Sequence, residues 1–191
     1  VAVELVHNFS LVHDDIQDGD RERRNRATLW TIVGTPQAIN AGDAFHSLAL
    51  TLLTHPGRHP ARRLRAAHAV SRAVSAVIDG QCLDLDLEGR PPAGTGVALK
   101  LARAKTGALI GGAVEAGAIL GGATAAVSAR LCKVGRELGA AFQVRDDWLG
   151  TWGDPAVTGK SSQADLERRK STFAIATAWA VASVRERREL R

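Results

Sequence analysis

The stretch LVHDDIQDGDRERR, residues 11–24, decides how the rest of the chain is read. Ahead of it, Val3, Leu5, Val6, Phe9 and Val12 fall on one broad apolar face, the spacing of a helix packed against a core. Continuing that helix puts Asp14 and Asp18 one turn apart on one face, with Asp15 on their shoulder. Carboxylates stacked this way repel and destabilise a helix unless something positive compensates. Magnesium does so, because it takes hard oxygen ligands, one or two carboxylates at a time, and completes its octahedron with phosphate oxygens. A solvated acidic helix end produces the same pattern. A second acidic pair favours the metal. Asp146 and Asp147 close a long, largely apolar helix in LGAAFQVRDDWLG, residues 138–150, so their carboxylates are expected to face inward or line a cavity rim. Ionised groups persist there only when paired or metal-bound. Two such clusters on facing helices can hold several magnesium ions and clamp a diphosphate between them.

The remaining composition agrees with a helical enzyme core. The chain has 191 residues, the size of one domain, with 45% hydrophobic and 24% charged residues, which excludes a disordered tail. Its apolar content is mostly Ala, Val and Leu, with 4% aromatics and no Tyr, a mix that favours helices over strands. Pro- and Gly-rich breaks at residues 54–60, 88–96 and 150–162 divide the chain into helices at about 1–20, 36–53, 61–88, 96–120, 123–149 and 165–188. No run alternates as a strand does, and no repeat is present. The expectation is one all-α domain over residues 1–191.

The most apolar stretch, residues 108–129, contains Glu115 and is mostly Gly and Ala, so it reads as a tightly packed buried helix and not a membrane span. Cys82 and Cys132 lack CxxC spacing and are expected to be buried free thiols, which fits a soluble cytoplasmic protein. The formal charge of +5 raises nucleic acid as a partner, but no basic stripe is interleaved with aromatics. The arginine pairs stand beside aspartates instead, an arrangement suited to anionic small molecules. There is no Met, and both ends break off within helical patterns, so the chain is expected to be a core lacking its N-terminal and C-terminal helices.

Taken in order, these motifs resemble the polyprenyl synthetase family, the isoprenyl diphosphate synthases. DDxxD at Asp14–Asp18 is similar to the family's first aspartate-rich motif, and Arg23-Arg24 to its diarginine. GTPQAINAGDAF (34–45) and GQCLDLDLEG (80–89) resemble further family segments, and Lys105-Thr106 its KT pair. FQVRDD (142–147) resembles the second aspartate-rich motif with its Gln143, while GDPAVTGK (153–160) and DLERRKST (165–172) resemble the lysine-bearing loop beyond it. The resemblance implies an isoprenoid-synthase-type helical bundle, acting as a homodimer, that condenses isopentenyl diphosphate with an allylic diphosphate using three magnesium ions. It also implies that Asp14, Asp15, Asp18, Asp146 and Asp147 ligate the metals. Arg23, Lys105, Thr106, Gln143, Lys160 and Lys170 would contact the allylic diphosphate or its cation, and Arg24 would hold isopentenyl diphosphate. Asp14, Asp18, Lys105, Thr106, Gln143 and Asp146 are then the catalytic set. His13, beside the aspartates, is a candidate supporting donor.

Class I terpene cyclases also ionise allylic diphosphates, but the Asn-x-x-x-Ser-x-x-x-Glu triad they pair with DDxxD is missing here. A non-catalytic subunit of a heteromeric synthase would have lost its aspartates, which this chain keeps. The chain departs from the family pattern at Gly150, where a third aspartate is usual and where Asp154 is the nearest substitute. It also departs at Asn25 and Ala27 (Gly and Pro usual), at Phe173 (Pro common), and in lacking the upstream GGKR-type segment. Phe9 lies about 7.5 Å deeper along the helix than Asp14. Its ring is a candidate floor for the growing hydrocarbon, with small Ser10 above it, giving a C20 product first and C15 second.

Overall fold

A computed structural model describes residues 1–153 and 170–189. The described chain is helical apart from one two-stranded ribbon, as expected. In order come α1 (Ala2–Gln17), β1 (Glu22–Arg23), β2 (Arg26–Ala27), α2 (Leu29–Val33), α3 (Thr35–Thr54) and α4 (Pro60–Leu87). Then follow α5 (Thr95–Ala102), a π-helical turn (Arg103–Gly107), α6 (Ala108–Leu120), α7 (Ala125–Trp152), α8 (Phe173–Val181) and α9 (Val184–Glu189). The broadest helix contacts are α6 on α7, α1 on α3 and α4 on α6. The core between them is built from small side chains, with Val6, Ala66, Val70, Val74, Ala116 and Ile119 among its buried members.

Small residues at these crossings bring backbones together. A Cβ at Gly139 would stand 2.7 Å from the Gly107 Cα, and one at Gly135 would stand 2.9 Å from the Gly111 Cα. Carbon atoms do not approach so closely, so α7 touches the π turn at Gly107 and α6 at Gly111 main chain to main chain only because all four positions lack side chains. Between α4 and the π turn, a Cβ at Gly80 would lie 2.6 Å from the Lys105 amide nitrogen. The close packing expected of residues 108–129 therefore occurs within the chain. Among the described residues, no helix is long and apolar enough to cross a membrane.

Four local expectations need correction. Residues 20–28 contain a β-hairpin in which Arg23 pairs with Arg26 and both turn residues, Arg24 and Asn25, have positive φ, 53° and 60°. That is the two-residue turn favoured by strand twist, and asparagine tolerates the left-handed region. The segment expected to be one helix over 96–120 is interrupted by the π turn, and the last helix begins at Phe173 and breaks at Ala182 and Ser183. There Ser183 Oγ accepts from the Glu186 amide at 3.4 Å while Glu186 Oε2 accepts from the Ser183 amide at 2.7 Å, a reciprocal cap that restarts the helix. Both cysteines are free, but Cys82 is exposed and Cys132 half-buried, so burial was the wrong expectation.

Gly139→Val should destabilise the fold by about 2–3 kcal/mol through overpacking against Gly107, read from urea unfolding. An unchanged unfolding midpoint would mean that α7 and the π turn are not in backbone contact at Gly107.

Candidate active site

The hairpin turns Arg23 back onto the end of α1. Its Nε donates to Asp15 Oδ1 at 2.7 Å and its Nη2 to Asp14 Oδ2 at 3.3 Å. The hairpin is anchored where Thr28 Oγ1 and Trp30 Nε1 both donate to the Asp20 carbonyl at 2.7 Å. Asp15 is buried, and Arg23 is what makes its burial tolerable. One turn beyond Asp14, the Asp18 carboxylate is 5% exposed and takes the Lys170 ammonium at 2.6 Å.

The other side of the site hangs on the π turn. Lys105 reaches both Asp14 Oδ1 at 3.0 Å and Asp84 Oδ2 on α4 at 2.8 Å. Its neighbour Thr106 faces α7, where its hydroxyl donates to Gln143 Oε1, and Gln143 Nε2 donates to Asp147 Oδ1 at 2.7 Å. A second link runs through the segment leading into α8. Lys170 holds Asp18, and three residues on, the Phe173 amide donates to Asp147 Oδ2 at 3.4 Å. Adjacent Cα atoms are about 3.8 Å apart and three residues of extended chain span about 10 Å. The aspartates of α1 and Asp147 of α7 are therefore tied to one region by two short covalent bridges, 105–106 and 170–173.

Electrostatics follow from this wiring. Burial alone would raise the Asp14 carboxyl, but Lys105, with Lys170 and Arg23 behind it, outweighs burial and holds Asp14 below the usual carboxylate value. Asp15 goes the other way, because its desolvation exceeds what Arg23 returns and Asp14 and Asp20 add repulsion. Burial lowers Lys105 and Lys170, yet Asp14 with Asp84, and Asp18, respectively, raise both above ordinary lysine. Asp14 thus stabilises the fold above its ordinary carboxylate value, and that contribution is lost as pH falls through its lowered value. The lysine contributions are complete below the ordinary ammonium value and are lost as pH rises through the raised ones.

Among the described residues, Asp14, Asp15, Asp18, Asp84 and Asp147 are set against three cations, Lys105, Lys170 and Arg23. No three or more His, Cys, Asp or Glu side chains of the described residues are grouped as ready-made metal ligands. The donors are hard oxygens in excess over the cations, the set magnesium uses when one or two carboxylates share it with phosphates. The residues present therefore fit such an ion in kind.

Of the residues named from sequence, Asp14, Asp15, Asp18, Arg23, Lys105, Thr106, Gln143, Asp147 and Lys170 are brought together. Asp146 is exposed and Asp147 half-buried, so of the two positions expected for this pair, inward or at a cavity rim, Asp146 does not take the inward one. Arg24 is exposed at the hairpin tip. His13 does not serve the aspartates. Its Nε2 lies 3.2 Å from the Ile39 carbonyl and 3.8 Å from Asp43, with its ring over Gly42 on α3. Lys160 and Asp154 lie outside the described residues. Asp84 was missed, although Gly80 one turn earlier marks the face on which α4 meets another backbone.

Lys105→Met removes the cation between Asp14 and Asp84. Asp14 should then follow its burial and titrate above the usual carboxylate value, as read by carbon-13 NMR, with a stability loss of about 2 kcal/mol. A carboxyl still titrating below that value would show that Lys105 does not govern it.

The sequence pattern of the polyprenyl synthetase family matches residues 1–191. The chain is 45% identical over 183 residues to a (2E,6E)-farnesyl diphosphate synthase of Mycobacterium tuberculosis, covering 95% of this chain and 50% of that protein. It is 44% identical over 180 residues to a geranylgeranyl diphosphate synthase of the same organism, covering 93% of this chain and 50% of the relative. A solved polyprenyl synthetase of Streptomyces coelicolor A3(2) superposes with a TM-score of 0.91 at 43% identity, covering 99% of this chain and 56% of that one. A geranylgeranyl pyrophosphate synthetase of Pyrococcus horikoshii gives 0.91 at 32% identity, covering 100% and 58%. The chain thus spans about half the length of the curated relatives it matches, and over that length it belongs to the polyprenyl synthetase family.

Proposed function

We propose that these residues are the catalytic core of a magnesium-dependent trans-prenyltransferase that joins isopentenyl diphosphate to an allylic diphosphate. The observation that carries this reading is the double tie of Asp14 and Asp18 to Asp147 through Lys105-Thr106-Gln143 and Lys170-Phe173. It provides acidic groups and cations at one place, which a reaction expelling diphosphate needs. Asp14 and Asp18, with Asp146 and Asp147 opposite, would hold the ions, and Asp15 stays with Arg23. Bound magnesium supplies positive charge to the leaving diphosphate.

The chain's own residues do the rest. Lys105 and Lys170, and Arg23 through the Nη2 that otherwise donates to Asp14, exchange carboxylate oxygens for phosphate oxygens when substrate and ions enter, while Arg23 Nε keeps Asp15. The allylic C–O bond breaks with its electron pair passing to the diphosphate. The double bond of isopentenyl diphosphate then attacks the allylic carbon, forming the new C–C bond. The resulting cation loses a proton to the departed diphosphate, so no protein base is required. Thr106, its hydroxyl fixed on Gln143, presents oxygen lone pairs near the developing cation, and Arg24 at the exposed hairpin tip is the candidate hold on isopentenyl diphosphate. Apolar walls keep water from the cation.

The Phe9 ring packs against the core, 4.9 Å from the His13 ring centroid and 5.1 Å from that of His46. So held, it serves as the floor for the hydrocarbon, and a C20 product with C15 second remains the reading.

Full-length protein incubated with labelled isopentenyl diphosphate and each allylic primer should release diphosphate only with magnesium, and Asp14→Ala should lower the rate by about a hundredfold or more. No magnesium-dependent release with any primer would defeat the proposal. Phe9→Ala should lengthen the product on thin-layer chromatography, and an unchanged length would remove Phe9 as the floor.

A further inference from the structure

A pocket of about 500 Å³ opens between the start of α4, the end of α6 and the start of α7. It is separate from the site above, because Arg72, on its rim, precedes Asp84 by about 18 Å along α4. Pockets of this size accommodate a small organic ligand when apolar walls carry a few placed polar groups. Leu64 and Ile119 supply apolar wall here, and Arg65, His68 and Arg72 line one side. Those three are spaced three and four residues apart, which places them on a single face of α4.

The polar groups are not equivalent. Arg72 is committed, donating to both Glu115 oxygens at 2.8 and 2.9 Å. Arg65 and His68 are exposed and have no acidic partner among the described residues. Across from them, Ser128 is 2% exposed, and its Oγ has no hydrogen-bond partner among the described residues. A buried hydroxyl left in that state carries a desolvation cost which a ligand oxygen would offset. The pocket therefore combines an uncommitted edge of one arginine and one histidine, an apolar wall and a buried donor without an acceptor.

We propose that this pocket binds a small anionic amphiphile, with a phosphate-type head at Arg65 and His68, a head-group oxygen accepting from Ser128, and hydrocarbon on Leu64 and Ile119. The assignment rests on the lining alone and is independent of the reaction proposed above. Equilibrium dialysis of the full-length protein with labelled farnesyl diphosphate tests it, with inorganic pyrophosphate and farnesol as competitors. The wild-type chain should bind one more equivalent than Arg65→Ala/His68→Ala, whose turnover should be unchanged because both residues lie outside the reacting centre. Neither competitor should empty the extra site at concentrations where farnesyl diphosphate fills it. Ser128→Ala should weaken that site about threefold to tenfold without lowering the melting temperature of the ligand-free protein. Equal stoichiometry in the wild type and the double variant would overturn the proposal. So would displacement by pyrophosphate alone, which would make the site one for bare anions.

Discussion

Lys105 is held between two carboxylates on different helices, Asp14 on α1 and Asp84 on α4, while its neighbour Thr106 is fixed to α7 through Gln143. One turn of chain thereby joins three helices, of which α1 and α4 are also linked where Gln81 Nε2 donates to Gln17 Oε1 at 3.0 Å. The arrangement needs the backbone of that turn to lie on α4, which Gly80 permits by having no Cβ. It also needs consecutive residues to serve opposite sides. The π turn provides this by inserting an extra residue into the helical repeat, as such turns do at functional sites.

The same constraint explains why so many aspartates coexist in one region. Each carboxylate that is hidden from water has a cation or amide within hydrogen-bond reach: Arg23 for Asp15, Lys105 for Asp14 and Asp84, Lys170 for Asp18, and Gln143 and the Phe173 amide for Asp147. Breaking any one pair strands a buried charge, which costs far more than the pair itself contributes. The site is consequently stable as it stands yet rich in partners that a diphosphate and its counterions can take over. Stability and the proposed function draw on the same ion pairs.

Much of this was legible in the sequence. The spacing of Asp14 and Asp18, the Pro and Gly breaks and the Ala-rich composition specify helices and an acidic face, and the first five expected helical stretches begin and end within a few residues of the expected positions. Asp84 was not legible, because CLDLDL offers two aspartates and only the tertiary contact with Lys105 selects between them. The π turn was hidden as well, since one inserted residue hardly disturbs an apolar pattern over 96–120. The hairpin escaped because Arg24 and Asn25 lack the glycine that usually marks such a turn. The break at Ser183 did leave a signal, Ser183-Val184-Arg185-Glu186, which has the spacing of a reciprocal cap.

If the aspartates of α1 and of α7 act on one ligand, their contributions to its binding are coupled. Calorimetric binding of a non-reacting allylic thiolodiphosphate with magnesium, to full-length wild type, Asp18→Asn, Asp147→Asn and the double variant, measures their coupling directly. The account predicts a double variant that loses less than the two single losses combined, with a coupling of about 1 kcal/mol or more. Strictly additive losses would mean that the two clusters bind separately, and would contradict it.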